Sequence, residues 1–285
     1  GTWQGASDDA QLAAYRERIE AYMIKALREA KDVTSWTNPN ETYENAMLDL
    51  VRHCLRGNGN SFTAELDELV GEIATAGYLN GLAQTLLKLT SPGVPDIYQG
   101  NEIWDFSLVD PDNRRPVDFA LRERMLTELE RHPVERSAEL VQDLARSIAD
   151  GRAKLYVTWR ALQARAQRPS LFADGSYVPL EARGARADHV CAFARQHEGI
   201  TAIVAVGRWF TKLGTRIADW PNAELRWDDT VILVPEAGEL IDAFTGRRFS
   251  AGPDGAEIAV SDLFSPLPVA LLMRDAGTPL APLPR

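Results

Sequence analysis

Ser91-Pro92-Gly93-Val94-Pro95-Asp96-Ile97-Tyr98-Gln99-Gly100-Asn101-Glu102 is the stretch whose reading decides the fold. Pro92 and Gly93 stop the helical pattern that precedes them and set a tight turn. Val94 to Tyr98 is short enough to be one buried strand, and Tyr-Gln-Gly-Asn-Glu then places polar groups at its carboxyl end. In a (β/α)8 barrel that end of the strands carries the active site.

Upstream of this stretch the chain reads as helices. Leu12, Tyr15, Ile19, Tyr22, Met23, Ala26, Leu27 and Ala30 recur at three- and four-residue steps, one apolar face of a helix for which Ser7 or Asp8 can serve as N-cap. A second helix fits Pro39 to Arg56, with Asn38 as cap, Gly57 as stop, and Tyr43, Met47, Leu50, Val51, Cys54 and Leu55 as its apolar face. After the turn Gly57-Asn58-Gly59-Asn60, Ser61 caps a third stretch running to Leu89. Glycines at 71, 77 and 81 weaken it, which predicts a break or a close helix contact near Gly77.

Downstream, a loop rich in Asp, Asn and Arg reaches Pro116, and helical segments follow over Phe119–Glu130, Val134–Ala149 and Ala153–Ala166. From about Asp188 the period becomes two. Val190–Arg195, Thr201–Val206, Thr230–Val234, Leu240–Phe244, Glu257–Val260 and Val269–Met273 are short apolar runs between turn signals, the pattern of an all-β sandwich. The tail from Gly277 is Pro-rich and is expected to be loose.

At 285 residues the chain holds one large or two medium domains. Lys and Arg number 31 against 41 Asp and Glu, for a net charge of -10. Phosphate backbones and acidic lipid repel such a chain, so neither nucleic acid nor a membrane surface is an expected partner. Its two cysteines, Cys54 and Cys191, argue against a secreted disulfide scaffold and for a reducing, cytoplasmic compartment. Scattered histidines and the absence of CxxC or HExxH leave no support for a metal site. The longest apolar run, Ile200 to Gly207, is far short of the roughly 20 residues that span a bilayer. Gly1 opens no signal peptide.

The pattern Gly93-x-Pro95-x-x-Tyr98-x-Gly100-x-Glu102 resembles the eighth barrel strand of the α-amylase superfamily of glycoside hydrolases. Three further segments, Lys31–Glu44, Leu108–Asp118 and Phe172–Leu180, are similar to those of one family within it, the maltooligosyltrehalose synthases. Ile241–Arg247 resembles a hairpin common in the C-terminal sandwich of amylase-type enzymes. The resemblance implies an α+β chain: a helical excursion over 1–90, the end of a (β/α)8 barrel over 91–187, and an all-β sandwich over 188–285.

One departure bears on activity. The superfamily uses an Asp nucleophile, a Glu acid/base and a third Asp in a His-Asp pair, all before strand eight. Here the histidines occur as His53-Cys54, His132-Pro133, His189-Val190 and His197-Glu198, so no His-Asp pair exists. The resemblance therefore implies the C-terminal part of an enzyme whose catalytic residues lie in a missing N-terminal barrel part, with none in this chain. An incomplete barrel also leaves apolar surface uncovered.

The parent chemistry so implied is an intramolecular glycosyl transfer by an isomerase, a glucan glucosylmutase. It converts the terminal α-1,4 bond of a maltooligosaccharide to an α,α-1,1 trehalose bond with retention, which calls for two carboxyls about 5–5.5 Å apart. No cofactor is implied. Arg114 is the first choice for a sugar contact, because Arg-x-Pro-Val matches an Arg-x-Pro-Met element beside the −1 sugar of related α-glucosidases. The alternative is an ion pair with Asp110 or Asp112 that fixes the loop. Asp110, Asp112 and Asn113 contact sugar or build the loop through Asx-turns. Arg115 and Gln99 complete the candidates, with Tyr98 and Glu102 either reaching substrate or closing the barrel. Trp36 stacks on a pyranose or packs among the helices. Two other functions fit the same residues: an α-glucan hydrolase or transglucosidase of the superfamily, and a non-catalytic glucan-binding or scaffold module.

Overall fold

A computed structural model describes residues 2–6, 8–57, 60–214, 216–234, 238–252 and 256–274. Ser7, the Asn58-Gly59 turn and the tail from Gly277 lie outside the described residues. The chain is a mixture of helix and sheet in two compact units, residues 1–72 with 105–117, and 73–104 with 118–285.

In the first unit, α1 (Asp9–Ala30) starts where the Asp8 carboxylate accepts from the Gln11 backbone N–H at 2.8 Å. α2 (Glu41–Cys54) begins two residues later than its sequence suggests, with Asn40 rather than Asn38 as cap. The reason is a closed turn: Ser35 N–H donates to Asn38 O, and Asn38 N–H donates back to Ser35 Oγ. Asn40 Oδ1 is left to accept from Tyr43 N–H. The face of α2 is also turned from the expected one, for Tyr43 and Leu50 are exposed while Val51 and Leu55 are buried. Trp3, Leu12, Val51 and Leu55 form the core of this unit, packed by Tyr15, Ile19, Met23, Leu66 and Val70.

α3 (Ser61–Thr90) is one unbroken helix of 30 residues, capped by Asn60. The expected break at Gly77 is absent, and a Cβ there would meet nothing within 4 Å. The close contact falls one turn on: a Cβ at Gly81 would sit 2.8 Å from the Trp104 ring.

The second unit is built on Leu79, Leu82, Leu86 and Leu89 of α3, all fully buried. Around them lie α4 (Phe119–Glu130), α5 (Ser137–Arg146), α6 (Arg152–Gln167) and α7 (Pro169–Ala173). Asp118 caps α4 by accepting from Leu121 N–H at 2.8 Å.

Nine strands follow among the described residues: β1 (Ser176–Pro179), β2 (Ala182–Arg183), β3 (Val190–His197), β4 (Ile200–Gly207), β5 (Val231–Val234), β6 (Gly238–Asp242), β7 (Arg248–Ala251), β8 (Ala256–Ala259) and β9 (Val269–Arg274). They make two antiparallel sheets, of order β1-β3-β4-β9-β6-β7 and β2-β5-β8. Glu198 and Gly199, both at positive φ, turn β3 into β4 as a two-residue hairpin with Val190 opposite Gly207 and His197 opposite Ile200. The short helix α8 (Val260–Leu263) separates β8 from β9. Strand residues and the helices before them share one core within the second unit.

One expectation is corrected outright. Val94–Tyr98 is not a strand, and Val94 is 97% exposed rather than buried. A parallel strand needs neighbours to complete its ladder, and among the described residues none lies beside this segment.

Candidate functional site

The candidate residues fall in two places. In the first unit, the loop 105–117 is held to α1 by two cations. Arg18 makes a fork to Asp112, Nε to Oδ1 at 2.9 Å and Nη2 to Oδ2 at 2.8 Å, and also donates to Phe106 O. Lys25 Nζ donates to Asp110 O at 2.5 Å. Asp112 also accepts from Leu108 N–H at 2.7 Å, and Arg115 Nε lies 3.1 Å from its Oδ1. Burial pushes the Asp112 carboxyl upward, but the bonds from Arg18 and Leu108 and the charges of Arg18 and Arg115 outweigh it, holding the group below its ordinary range. Both oxygens of Asp112 are thus spoken for within the loop. Arg115 is similarly engaged, donating to Asp112 O and Ser107 Oγ.

Arg114 differs from these. It projects from the short 3-10 turn Asp112–Arg114 with a side chain 72% exposed, ion-paired to the half-exposed Asp110. Asn113 Oδ1 is buried and has no hydrogen-bond partner among the described residues.

Trp36 lies in the connection between α1 and α2, 57% exposed, with the Arg28 guanidinium carbon 5.0 Å from its ring centroid. Arg28 in turn forks onto Glu44, Nε to Oε1 at 2.9 Å and Nη2 to Oε2 at 2.7 Å. Thr34 Oγ1 donates to Glu44 Oε1 at 2.5 Å and accepts from Asn40 N–H at 2.9 Å. The Arg28 fork and the Thr34 hydroxyl bring the Glu44 carboxyl down to about 2, so it is ionised at neutral pH. No feature of the periodic pattern marks Glu44. It lies within a helix whose neighbours on that face read as apolar.

In the second unit, Tyr98, Gln99 and Glu102 belong to a segment fixed from α4 and α6. Arg122 Nη2 donates to Gly100 O and its Nε to Glu102 Oε2, at 2.5 and 3.0 Å. Lys154, buried on α6, reaches Asn101 Oδ1 at 3.0 Å and Ile103 O at 3.1 Å. Trp104 Nε1 donates to Ile148 O at 2.6 Å. Glu102 therefore fixes its own loop through Arg122, while the Tyr98 ring is exposed.

Two surface depressions, one lined by Arg16, Glu17, Glu20, Arg52 and Arg56 and one by Glu128, Arg131, His132, Arg136, Glu139 and Arg152, contain none of the candidates. No group of His, Cys, Asp or Glu side chains that could hold a metal ion occurs among the described residues. No helix among them is long and apolar enough to cross a membrane.

No family model matches the chain. Two curated relatives do, proteins described as putative maltooligosyl trehalose synthase from two strains of Mycobacterium tuberculosis, each 41% identical over 266 residues, 92% of this chain. Among solved structures, maltooligosyltrehalose synthase from Arthrobacter ramosus is 39% identical with a TM-score of 0.71, over 95% of this chain and 30% of that one. A hypothetical maltooligosyl trehalose synthase of Sulfolobus tokodaii is 28% identical with a TM-score of 0.60, over 92% of this chain and 29% of that one. The chain spans 29% of the length of the curated relatives it matches, so the similarity is to a portion of each.

Proposed function

We propose that this chain supplies the C-terminal part of a glucan glucosylmutase that turns the terminal α-1,4 bond of a maltooligosaccharide into an α,α-1,1 bond. The observation that carries the reading is the 41% identity sustained over 92% of the chain with relatives so described. In it, residues 1–90 are a helical excursion, 91–187 the end of a (β/α)8 barrel with 94–98 in the place of its last strand, and 188–285 a β-sandwich. The ladder-free form of 94–98 fits a strand whose partners lie in another part of the parent chain. Two antiparallel sheets sharing a core support the sandwich. Unbridged Cys54 and Cys191 suit a cytoplasmic enzyme.

Arg114 is the residue we assign to sugar. Its loop neighbours Asp112 and the half-exposed Arg115 are used in bracing, which leaves Arg114 as the more exposed planar cation of the loop. Guanidinium groups bind paired hydroxyls by charge-assisted bonds. Tyr98 and Trp36, both exposed aromatics, are the further sugar candidates in their own units, with Gln99 next to Tyr98 in sequence and Asp110 paired to Arg114.

The 285-residue chain should form no trehalose-ended product from maltopentaose, as it holds no His-Asp pair. Turnover above a host-enzyme control would sink the assignment. In a full-length synthase carrying this segment, Arg114→Ala should cost about 2–3 kcal/mol, or about 30- to 200-fold in kcat/KM. Its exposed pair with Asp110 is worth at most about 1 kcal/mol, so loop bracing does not account for a loss of that size. Arg114→Lys should fail as well, since a point charge lacks the planar fork. Near-normal kinetics for both variants at unchanged thermal stability would remove Arg114 from the site.

A further inference from the structure

We propose that Arg28 and Glu44 are positioning residues that hold the Trp36 indole as a stacking platform for a pyranose ring of an α-glucan. The proposal rests on the reading that this chain handles α-glucan. Its basis is a chain of contacts running from a buried carboxylate to an exposed ring. Glu44, 5% exposed, takes both fork nitrogens of Arg28 and the Thr34 hydroxyl. Arg28, so locked, lies against the Trp36 ring. The turn that carries Trp36 is closed by Ser35 and Asn38 and tied to Glu44 through Thr34 and Asn40. A tryptophan that served only to fill the core would be covered, yet this one is 57% exposed on a loop with fixed backbone. A ring ordered before binding loses little freedom when a sugar stacks on it.

The placement of this ring adds a second argument. Arg18, Lys25 and Arg28 stand at i, i+7 and i+10 on α1 and so share one side of the helix. The first two hold the loop that carries Arg114, and the third holds Trp36. Lys25 and Arg28 are separated by about 4.5 Å along the axis. One helix face thus anchors both a cationic fork and an aromatic plane, the two groups that contact hydroxyls and the apolar face of a sugar. The charge and fork of Arg28–Glu44 would then act on binding only through Trp36.

The test is a titration of the 285-residue chain with maltoheptaose, read by calorimetry and by tryptophan fluorescence, with thermal unfolding recorded for every variant. Trp36→Ala should weaken binding at least tenfold. Glu44→Gln, which keeps shape and loses the ionic fork, should weaken it three- to tenfold, and Arg28→Lys, which keeps charge and loses planarity, by a similar factor. In the Trp36→Ala background neither change should weaken binding further. Equal losses in both backgrounds would show that Glu44 acts elsewhere and overturn the positioning role. Wild-type affinity in Trp36→Ala, or no maltoheptaose binding by the unaltered chain, would overturn the platform itself. Those results leave the glucosylmutase assignment to be judged by product formation in the full-length enzyme. If Glu44→Gln unfolds, Arg28→Lys decides alone.

Discussion

Arg195→Met should destabilise the chain by about 3 kcal/mol or more, the largest effect expected of any single replacement. Arg195 is fully buried on β3, and its guanidinium meets no carboxylate among the described residues. It donates instead to four backbone carbonyls: Ser176 O at 3.1 Å, Thr90 O at 3.0 Å, Phe172 O at 3.0 Å and Gly175 O at 2.8 Å. Thr90 is the last residue of α3, so a cation there also faces the negative end of a long helix. Burial, and then the positive charge of Arg165, lower the pKa of this group. Each buried acceptor left unmatched costs about 1–3 kcal/mol, partly offset because a cation no longer has to be desolvated. Chemical denaturation of both proteins measures the difference. A loss below about 1 kcal/mol would mean that water replaces the guanidinium without penalty.

Gly175→Ala should cost about 2–3 kcal/mol, an expected fall in Tm of about 5–10 °C. Its Cβ would lie 2.1 Å from Leu171 O and 3.2 Å from Gln196 O, both backbone atoms that cannot rotate away. The turn is already tight, with Asp174 N–H and Gly175 N–H both donating to Ser170 O. Opening it moves the Gly175 carbonyl that Arg195 uses, so the two replacements share a cost and should be less than additive. An alanine variant that melts with the parent would show that the α7–β1 turn shifts freely.

These two residues explain a segment whose meaning was ambiguous in the sequence. Phe172–Leu180 is similar to a family segment, which invites a substrate role, yet Phe172, Gly175 and Ser176 present their carbonyls to a buried arginine. Arg195 reads only as the polar end of an apolar run, because periodicity records where a side chain points and not what it meets. α4 was legible to the residue because Asp118 offers its cap and the pattern stops at Glu130. β3, β4 and β9 were legible because each carries a largely buried apolar run.

β1, β2 and β7 escaped notice since they are short, largely exposed and carry no apolar run. Val94–Tyr98 misled for the opposite reason, having the composition of a strand without partners to pair with. Among glycines, no local signal tells Gly77 from Gly81, as the tryptophan that crowds Gly81 comes from 23 residues later. The candidate loop was legible as a cluster of polar side chains but not in its division of labour. Asp110, Asp112, Arg114 and Arg115 sit in one short loop, and only the geometry separates the brace from the exposed fork.

The position of β9 in its sheet sets the order in which the second unit can be assembled. Every other strand of that sheet precedes β9 in the chain, yet β9 lies between β4 and β6. The β3–β4 and β6–β7 pairs close over a few residues and form early, while Thr201 must wait for Arg274. Until residues 269–274 emerge from the ribosome, two half-sheets each expose an open inner edge to solvent and to neighbouring chains. The strand that joins them is thus the last of this sheet to be made, which makes translation speed and chaperone cover over residues 269–274 part of how the sheet is completed.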